Sequence, residues 1–213
     1  YEETEQASIK LNKKNFLSID LGIDNLAACA SNVGPSFLLN GRPLKSYNRL
    51  HNKRMAKMRS ELEVKNKKKW SKAMGRMSMN RSNWISNYFD QGIALLMKYC
   101  LKHSIGTMVM GYNTEWKQGL NLGRVNNQKF MSVPHFLFKR KLQSKCASLG
   151  IELLFQEESY TSKASFLDGD KMEHGALFSG KRIKRGLYRA GDGRELNADI
   201  NGALNIARKN VFP

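Results

Sequence analysis

Asn15-Phe-Leu-Ser-Ile-Asp20-Leu-Gly-Ile-Asp24-Asn-Leu-Ala27 reads as an apolar strand that ends in a carboxylate, followed by a tight turn. Leu17 and Ile19 alternate with Ser18 and Asp20, so a half-buried strand at about 15–21 puts Ser18 and Asp20 on one face. A carboxylate at the end of a buried strand is costly unless it is paired or holds a cation. Asp20 therefore invites a functional reading, with capping of the turn at Gly22 as the alternative. Asp24 is accounted for by turn chemistry alone. A second strand at about 25–31 and a short third near 36–39, after the Gly34-Pro35 turn, complete an antiparallel meander.

Beyond the meander the pattern becomes helical from about 45 to 104, with a break expected near 75–80. Thr107-Met-Val-Met-Gly111 is strand-like, and a polar loop follows from Asn113 to about Val133. Pro134 suits the start of a helix that runs to Leu149 and is ended by Gly150. Ile151-Glu-Leu-Leu-Phe155 reads as a strand. Residues 159–196 show little periodicity and read as an inserted loop, and a last helix is expected over about 198–209. A meander followed by helix, strand, helix, strand and helix is the pattern of an α/β domain with a mixed sheet. One domain over 1–213 is the expectation for this length, with a basic helical insertion at about 42–104.

The second acidic motif, Asn197-Ala-Asp199-Ile-Asn-Gly-Ala-Leu-Asn205, lies near the other end of the chain. On a helix, positions 199, 202, 203 and 206 share one side, and the small residues Gly202 and Ala203 would let that side approach a sheet closely. Asp199 would then come near Asp20; its other reading is a favourable charge at the helix N-terminus. Two carboxylates with a third acidic ligand suit hard divalent cations such as magnesium, and in-line hydrolysis of a phosphodiester.

Charge points the same way. The 36 lysines and arginines outnumber 18 aspartates and glutamates, for a net charge of +18. Such an excess favours a polyanionic partner, nucleic acid before an anionic membrane, because no helix pairs a basic face with a clean apolar one. Between Arg42 and Arg81 the cations, among them Arg49, Lys53, Arg54 and Lys57, are interleaved with Tyr47, His51, Trp70 and Trp84. That mixture favours contacts to a nucleic-acid backbone. Lys181, Arg182, Lys184 and Arg185 form a second basic cluster, and Lys117 is a further candidate contact. No stretch approaches the roughly 20 apolar residues of a membrane span and no signal peptide is evident, so a cytoplasmic, nucleoid-associated protein is expected. Cys29, Cys100 and Cys146 are far apart and read as buried thiols, and no CxxC pair exists. The four histidines are scattered, without ligand spacing.

The runs SIDLGIDNLA, SYNRLHNKRMAKMRS, GYNTEWKQGLNLGRVNNQKFMSVP, QEESYTSKASFLD and GKRIKRGLYRAGDGRELNADINGALNIARK resemble, in that order, the OrfB/TnpB family. These are the RNA-guided endonucleases encoded by insertion sequences. The resemblance runs over about 15–209. It implies an RNase H-like, RuvC-type nuclease domain with a mixed five-stranded sheet, guided by a transposon-derived RNA to cut DNA. It also implies two magnesium or manganese ions held by the family's acidic residues. The first of these falls on Asp20 and the last on Asp199.

Three departures accompany it. The family's middle glutamate, at the end of the fourth strand, is replaced here by Gly111. In some relatives, including the eukaryotic Fanzor branch, that glutamate stands on the next strand, just before a Thr-Ser pair. Here Glu157 and Glu158 precede Thr161-Ser162, and the spacing matches Glu158 better, with Glu157 in reserve. Only one of the two should face the aspartates, because strand side chains alternate. The zinc-knuckle cysteines of many relatives are absent from 159–196, so zinc is not expected. Only 19 residues precede Asp20, so the wedge and recognition domains of the family are expected to be missing. The expected activity is DNA cleavage, with a nuclease-dead binder of RNA or DNA as the alternative.

Overall fold

The structure, a computed structural model, describes residues 10–112 and 133–211. Lys117 and most of the polar loop after Gly111 lie outside the described residues. The elements are β1 (Asn12–Leu21), β2 (Asn25–Ser31), β3 (Phe37–Asn40), α1 (Arg42–Asn66), α2 (Lys72–Lys102), β4 (Ile105–Tyr112), α3 (His135–Ser148), β5 (Glu152–Glu157), three short strands β6 (Lys181–Lys184), β7 (Leu187–Arg189) and β8 (Glu195–Asn197), and α4 (Ala198–Val211).

β1 to β5 form a mixed sheet in the order β3-β2-β1-β4-β5. The meander pairs antiparallel, while β4 lies parallel to both β1 and β5. Leu17, Ile19 and Leu21 of β1, with Met108 and Met110 of β4, point to one face. There they join Phe89, Ile93, Leu96, Phe138 and Leu142 of α2 and α3 in the principal core. The opposite face carries the intervening residues. Ala28 and Ala30 of β2 pack there against Ala203 of α4, a small-residue contact that lets helix and sheet approach closely. The alternation seen in β1 thus assigns Asp20 to the α4 face.

Two sequence expectations require correction. The break in the long helical segment lies at 67–71, not 75–80. Lys67 closes α1 in the left-handed region (φ 49°), and the Ser71 side chain caps α2 by accepting a hydrogen bond from the Met74 amide at 3.3 Å. Gly75 stays inside the helix, where the cap outweighs its poor propensity. The segment 159–196 is also more ordered than a plain loop. β6, β7 and β8 form an antiparallel sheet. Buried Asp170 organises the approach to it, accepting hydrogen bonds from the Ser165 amide (2.8 Å), the Ser179 amide (3.0 Å) and the Ser179 hydroxyl (2.7 Å). Buried Tyr188 donates its hydroxyl to the Lys163 carbonyl at 2.7 Å.

Candidate active site

Asp20 pairs with Ala28 across β1 and β2. The parallel β1–β4 register matches Ile19 with Met110, which puts Asp20 and Gly111 next in line on the α4 face. Ser18, one step back on that face, is fully buried and donates to the Ala30 carbonyl at 3.1 Å. Above Asp20 lies Gly202 of α4. A Cβ at Gly202 would stand 2.5 Å from Oδ2 of Asp20, so only glycine leaves room for the carboxylate there. The residue keeps some solvent contact, but protein atoms crowd its charged end.

Glu158 stands just beyond the end of β5, where its amide donates to the Tyr112 carbonyl at 3.1 Å and extends the pairing with β4. Its side chain turns inward over Gly111. A Cβ at Gly111 would come 2.9 Å from Cδ of Glu158 and 2.6 Å from Cδ1 of Ile206, and its closest contact would be Oε1 of Glu158. The Glu158 carboxylate therefore occupies the space into which a side chain on β4 would project. Oε1 is buried and has no hydrogen-bond partner among the described residues. Glu157 points elsewhere: it accepts from the Ser159 amide at 2.7 Å and from the Ser159 hydroxyl, and pairs with Lys209 at 3.4 Å.

Electrostatics separates the two glutamates. Burial, helped by the Glu157 charge, pushes Glu158 up to about 7. Glu157 is lowered: its burial opposes the shift, but the Ser159 hydrogen bonds and the Lys209 charge outweigh it. Asp20 is held well above the ordinary carboxylate range, first by burial, then by the charges of Glu158 and Asp199, with Arg182 pulling the other way. Two crowded carboxylates thus act on each other, with a smaller opposing pull from Arg182.

Asp199 sits in the first turn of α4. Asn197 caps that turn, its side-chain oxygen accepting from the amides of Asp199 (2.9 Å) and Ile200 (3.1 Å). The Asp199 carboxylate accepts from Asn25 Nδ2 at 2.7 Å and lies 3.5 Å from the Arg182 guanidinium. Asp20, Glu158 and Asp199 gather at one end of the sheet under α4. Among the described residues, however, no three His, Cys, Asp or Glu side chains converge closely enough to hold one metal ion.

Arg49, Lys53, Arg54 and Lys57 are exposed along α1, and Lys57 pairs with Glu61 at 3.9 Å. Lys181 and Lys184 are exposed on β6. Arg182 and Arg185, on and just after β6, reach the acidic end of the sheet. Arg185 pairs with Asp24, which also binds Lys45 Nζ at 2.7 Å. Asp24 is therefore an ionic anchor between the β1–β2 turn, α1 and the β6–β7 hairpin, a role its turn context conceals. Asn201 and Asn205 are further residues that sequence reading passed over. Both are fully buried; Asn201 Nδ2 donates to the Ala164 carbonyl at 2.8 Å, and Asn205 Nδ2 to those of Thr161 (2.9 Å) and Ala164 (2.7 Å). They tie the segment following Glu158 to α4. The available signal was the recurrence of asparagine at 197, 201 and 205, a spacing that puts Asn201 and Asn205 on one face of α4 in line with its cap.

The family described as "Probable transposase" (OrfB_IS605) matches residues 1–117, more than half of the sequence. The chain belongs to the OrfB_IS605 family. A second match, "Cas12f1-like, TNB domain", covers residues 135–206 of this OrfB-family chain. Among solved structures, a Cas12f1-sgRNA-target DNA complex is similar with a TM-score of 0.64 and 20% identity, over 92% of this chain and 50% of that one. A CRISPR-Cas12f ternary complex gives 0.68 and 16%, over 97% and 40%. No curated protein matches. The OrfB-family chain spans half or less of the length of these two structures, and at such identities the likeness shows the fold. That fold is the RuvC-like, mixed-sheet α/β arrangement expected from the sequence. Among the described residues no helix is long and apolar enough to cross a membrane.

Proposed function

We propose that this chain carries the hydrolytic centre of an RNA-guided DNA endonuclease, with Asp20, Glu158 and Asp199 as its acidic residues. The observation that carries the reading is the Glu158 carboxylate, which fills the space left by Gly111 beside Asp20. A structural glutamate would be expected to point to solvent or to a cation of the protein. Glu158 instead leaves a buried oxygen without a hydrogen-bond partner among the described residues and lies close to another carboxylate.

An all-oxygen donor set with uncompensated buried charge fits magnesium or manganese. Asp20, Glu158 and Asp199 would hold such ions. When bound, they supply positive charge at the scissile phosphate and a water of lowered pKa. The chain's own groups prepare the rest. Asn25 fixes the orientation of Asp199, and Asn205 fixes the segment that bears Glu158. Gly202 leaves the Asp20 carboxylate unobstructed by the helix. Arg182, half-exposed beside Asp199, is placed to exchange that carboxylate for a phosphate oxygen of the strand. Lys181, Lys184 and the α1 cations would track the backbone of DNA and of a guide RNA, the partners named for the similar complexes.

The test is cleavage of a labelled DNA strand in magnesium or manganese, with and without chelator. Asp20→Ala, Asp199→Ala and Glu158→Gln should each abolish it, and Glu157→Gln should not. Cleavage that survives in Glu158→Gln would overturn the assignment. A second reading, a binder that does not cut, is favoured by the pairing of Asp199 with Arg182 and by the lack of three converging acidic side chains among the described residues. It predicts DNA binding unchanged by chelator and no nicking in either metal.

A further inference from the structure

The 25 residues of α1 extend roughly 37 Å at 1.5 Å per residue, and α2 returns antiparallel beside it. After Asn48 no described side chain of α1 is fully buried. The half-buried positions Tyr47, His51, Met55, Met58 and Leu62 recur at helical spacing and form the seam toward α2. The two helices are thus an arm whose base rests on the sheet and whose tip, residues 67–71, stands clear of it.

The aromatic residues of this arm divide into two kinds. Tyr47, Trp84 and Tyr88 stack on one another near the base, with centroids 4.3 and 5.4 Å apart, and Trp84 and Tyr88 pack against the core. Their faces are used by the fold. Trp70, at the tip, is 55% exposed. Its indole lies beside Gly75, where a Cβ would be 3.9 Å from Cζ2 and Nε1, so the ring rests against the bare first turn of α2. Around it stand Lys65, Lys67, Lys68, Lys69 and Lys72, all exposed, and no acidic residue occurs between Glu63 and Asp90.

The tip is also held in shape. Lys67 takes a left-handed conformation that favours glycine, and its amide bonds back to Glu63 and Leu62 while Ser71 caps the next helix. A lysine in that position costs conformational energy that glycine would avoid. A fixed aromatic surface ringed by lysines is complementary to a base and its flanking phosphates, and not to an apolar protein surface.

We propose that the tip of the α1–α2 arm, Trp70 with Lys67, Lys68 and Lys69, is a binding site for unpaired nucleotides, separate from the acidic centre. The base stacks on the Trp70 indole and the lysines hold the adjoining phosphates. This differs from backbone tracking along α1, because it requires a base freed from its duplex.

The test uses the full chain in chelator, with Asp20→Ala as background, so that its outcome does not depend on cleavage or metal. With Trp84→Phe and Trp116→Phe, Trp70 is the one tryptophan, excited selectively over the tyrosines, and circular dichroism verifies the fold. A twelve-residue oligo-dT or oligo-U should quench its emission, and a blunt duplex of equal length should not. Quenching by one oligomer alone would identify the strand as DNA or RNA. In the chain that retains its other tryptophans, Trp70→Ala should weaken single-strand binding about tenfold, while Trp70→Phe stays near the starting affinity. Joint replacement of Lys67, Lys68 and Lys69 by glutamine should reduce the salt dependence by about three phosphate contacts. Quenching by the duplex as strong as by the single strands, no quenching at all, or unchanged affinity in Trp70→Ala would overturn the proposal.

Discussion

Replacing Gly111 with alanine, alone and together with Glu158→Ala, tests whether one carboxylate has taken the space of the other position. In the single variant the new methyl would meet Glu158 Cδ at 2.9 Å and Ile206 Cδ1 at 2.6 Å, with Oε1 of Glu158 nearer still. Ile206 is fully buried and cannot swing away into solvent. Overpacking of this kind costs about 1–3 kcal/mol. When Glu158 is alanine the carboxylate contacts vanish and only the Ile206 contact remains, so Gly111→Ala should cost at least about 1 kcal/mol less in that background. That coupling exceeds the roughly 0.3–0.5 kcal/mol within which independent sites add. Urea denaturation of all four proteins in chelator, at a pH below 6, measures it. Additive free energies would refute the claim that Glu158 lies over Gly111, and with it the main support for Glu158 over Glu157.

Stability should depend on pH in a direction set by the same residues. Glu158 is raised from 4.5 to about 7 in the folded chain, so its contribution is fully present below about pH 4.5 and is lost as pH rises through 7. The loss is up to about 3 kcal/mol, less where water reaches the carboxylate, and Asp20 acts in the same direction. Metal-free unfolding at pH 5 and pH 8 should show it, with a smaller difference in Glu158→Gln; stability that rises over this interval would contradict the site. Gly202→Ala places a methyl 2.5 Å from Asp20 Oδ2 and should cost about 1–3 kcal/mol while lowering manganese affinity by calorimetry. Unchanged affinity would mean that Asp20 is not a ligand. Asp170→Ala removes the acceptor of three donors, one of them the buried Ser165 amide, and should destabilise residues 165–197 by about 1–3 kcal/mol, seen as faster amide exchange there with the five-stranded sheet unaffected.

How far the fold was legible depends on how each element is held. β1 shows a period of two and β2, β4 and β5 are apolar runs bounded by turn residues or helices, and their sequence-based positions agree with the structure to within a few residues. The arm's turn was misplaced because Gly75 resembles a breaker, whereas the deciding interactions are the Ser71 cap and a left-handed lysine, which composition does not mark. β6 to β8 have three or four residues each, too few for any period. Their placement comes from Asp170, Tyr188 and the Asp168 carboxylate, which accepts the Gly191 amide at 2.7 Å, all contacts between distant positions. Asp20 stood out because a carboxylate at the end of an apolar strand is costly. Glu158 stood out only through the family resemblance, by its place before Thr161-Ser162; the space it fills over Gly111 is a property of two strands in register and cannot be read along one.

The large positive charge acquires a second meaning once the acids are located. Three carboxylates at one end of a sheet would repel one another, and the cations nearest to them are not spread at random. Lys45 of α1 and Arg185 beyond β6 converge on Asp24, and Arg182 reaches Asp199. Asp20 and Glu158, by contrast, have no cation partnered by hydrogen bond or ion pair among the described residues. The basic residues thus pair with Asp24 and Asp199 and leave Asp20 and Glu158 without an ion pair among the described residues. A protein that needed these acids only for structure would be better served by pairing them, since unpaired buried charge is the costlier arrangement. Those two unpaired carboxylates are what a divalent cation would neutralise, and the exposed arginines beside Asp24 and Asp199 are what a phosphate backbone would meet first.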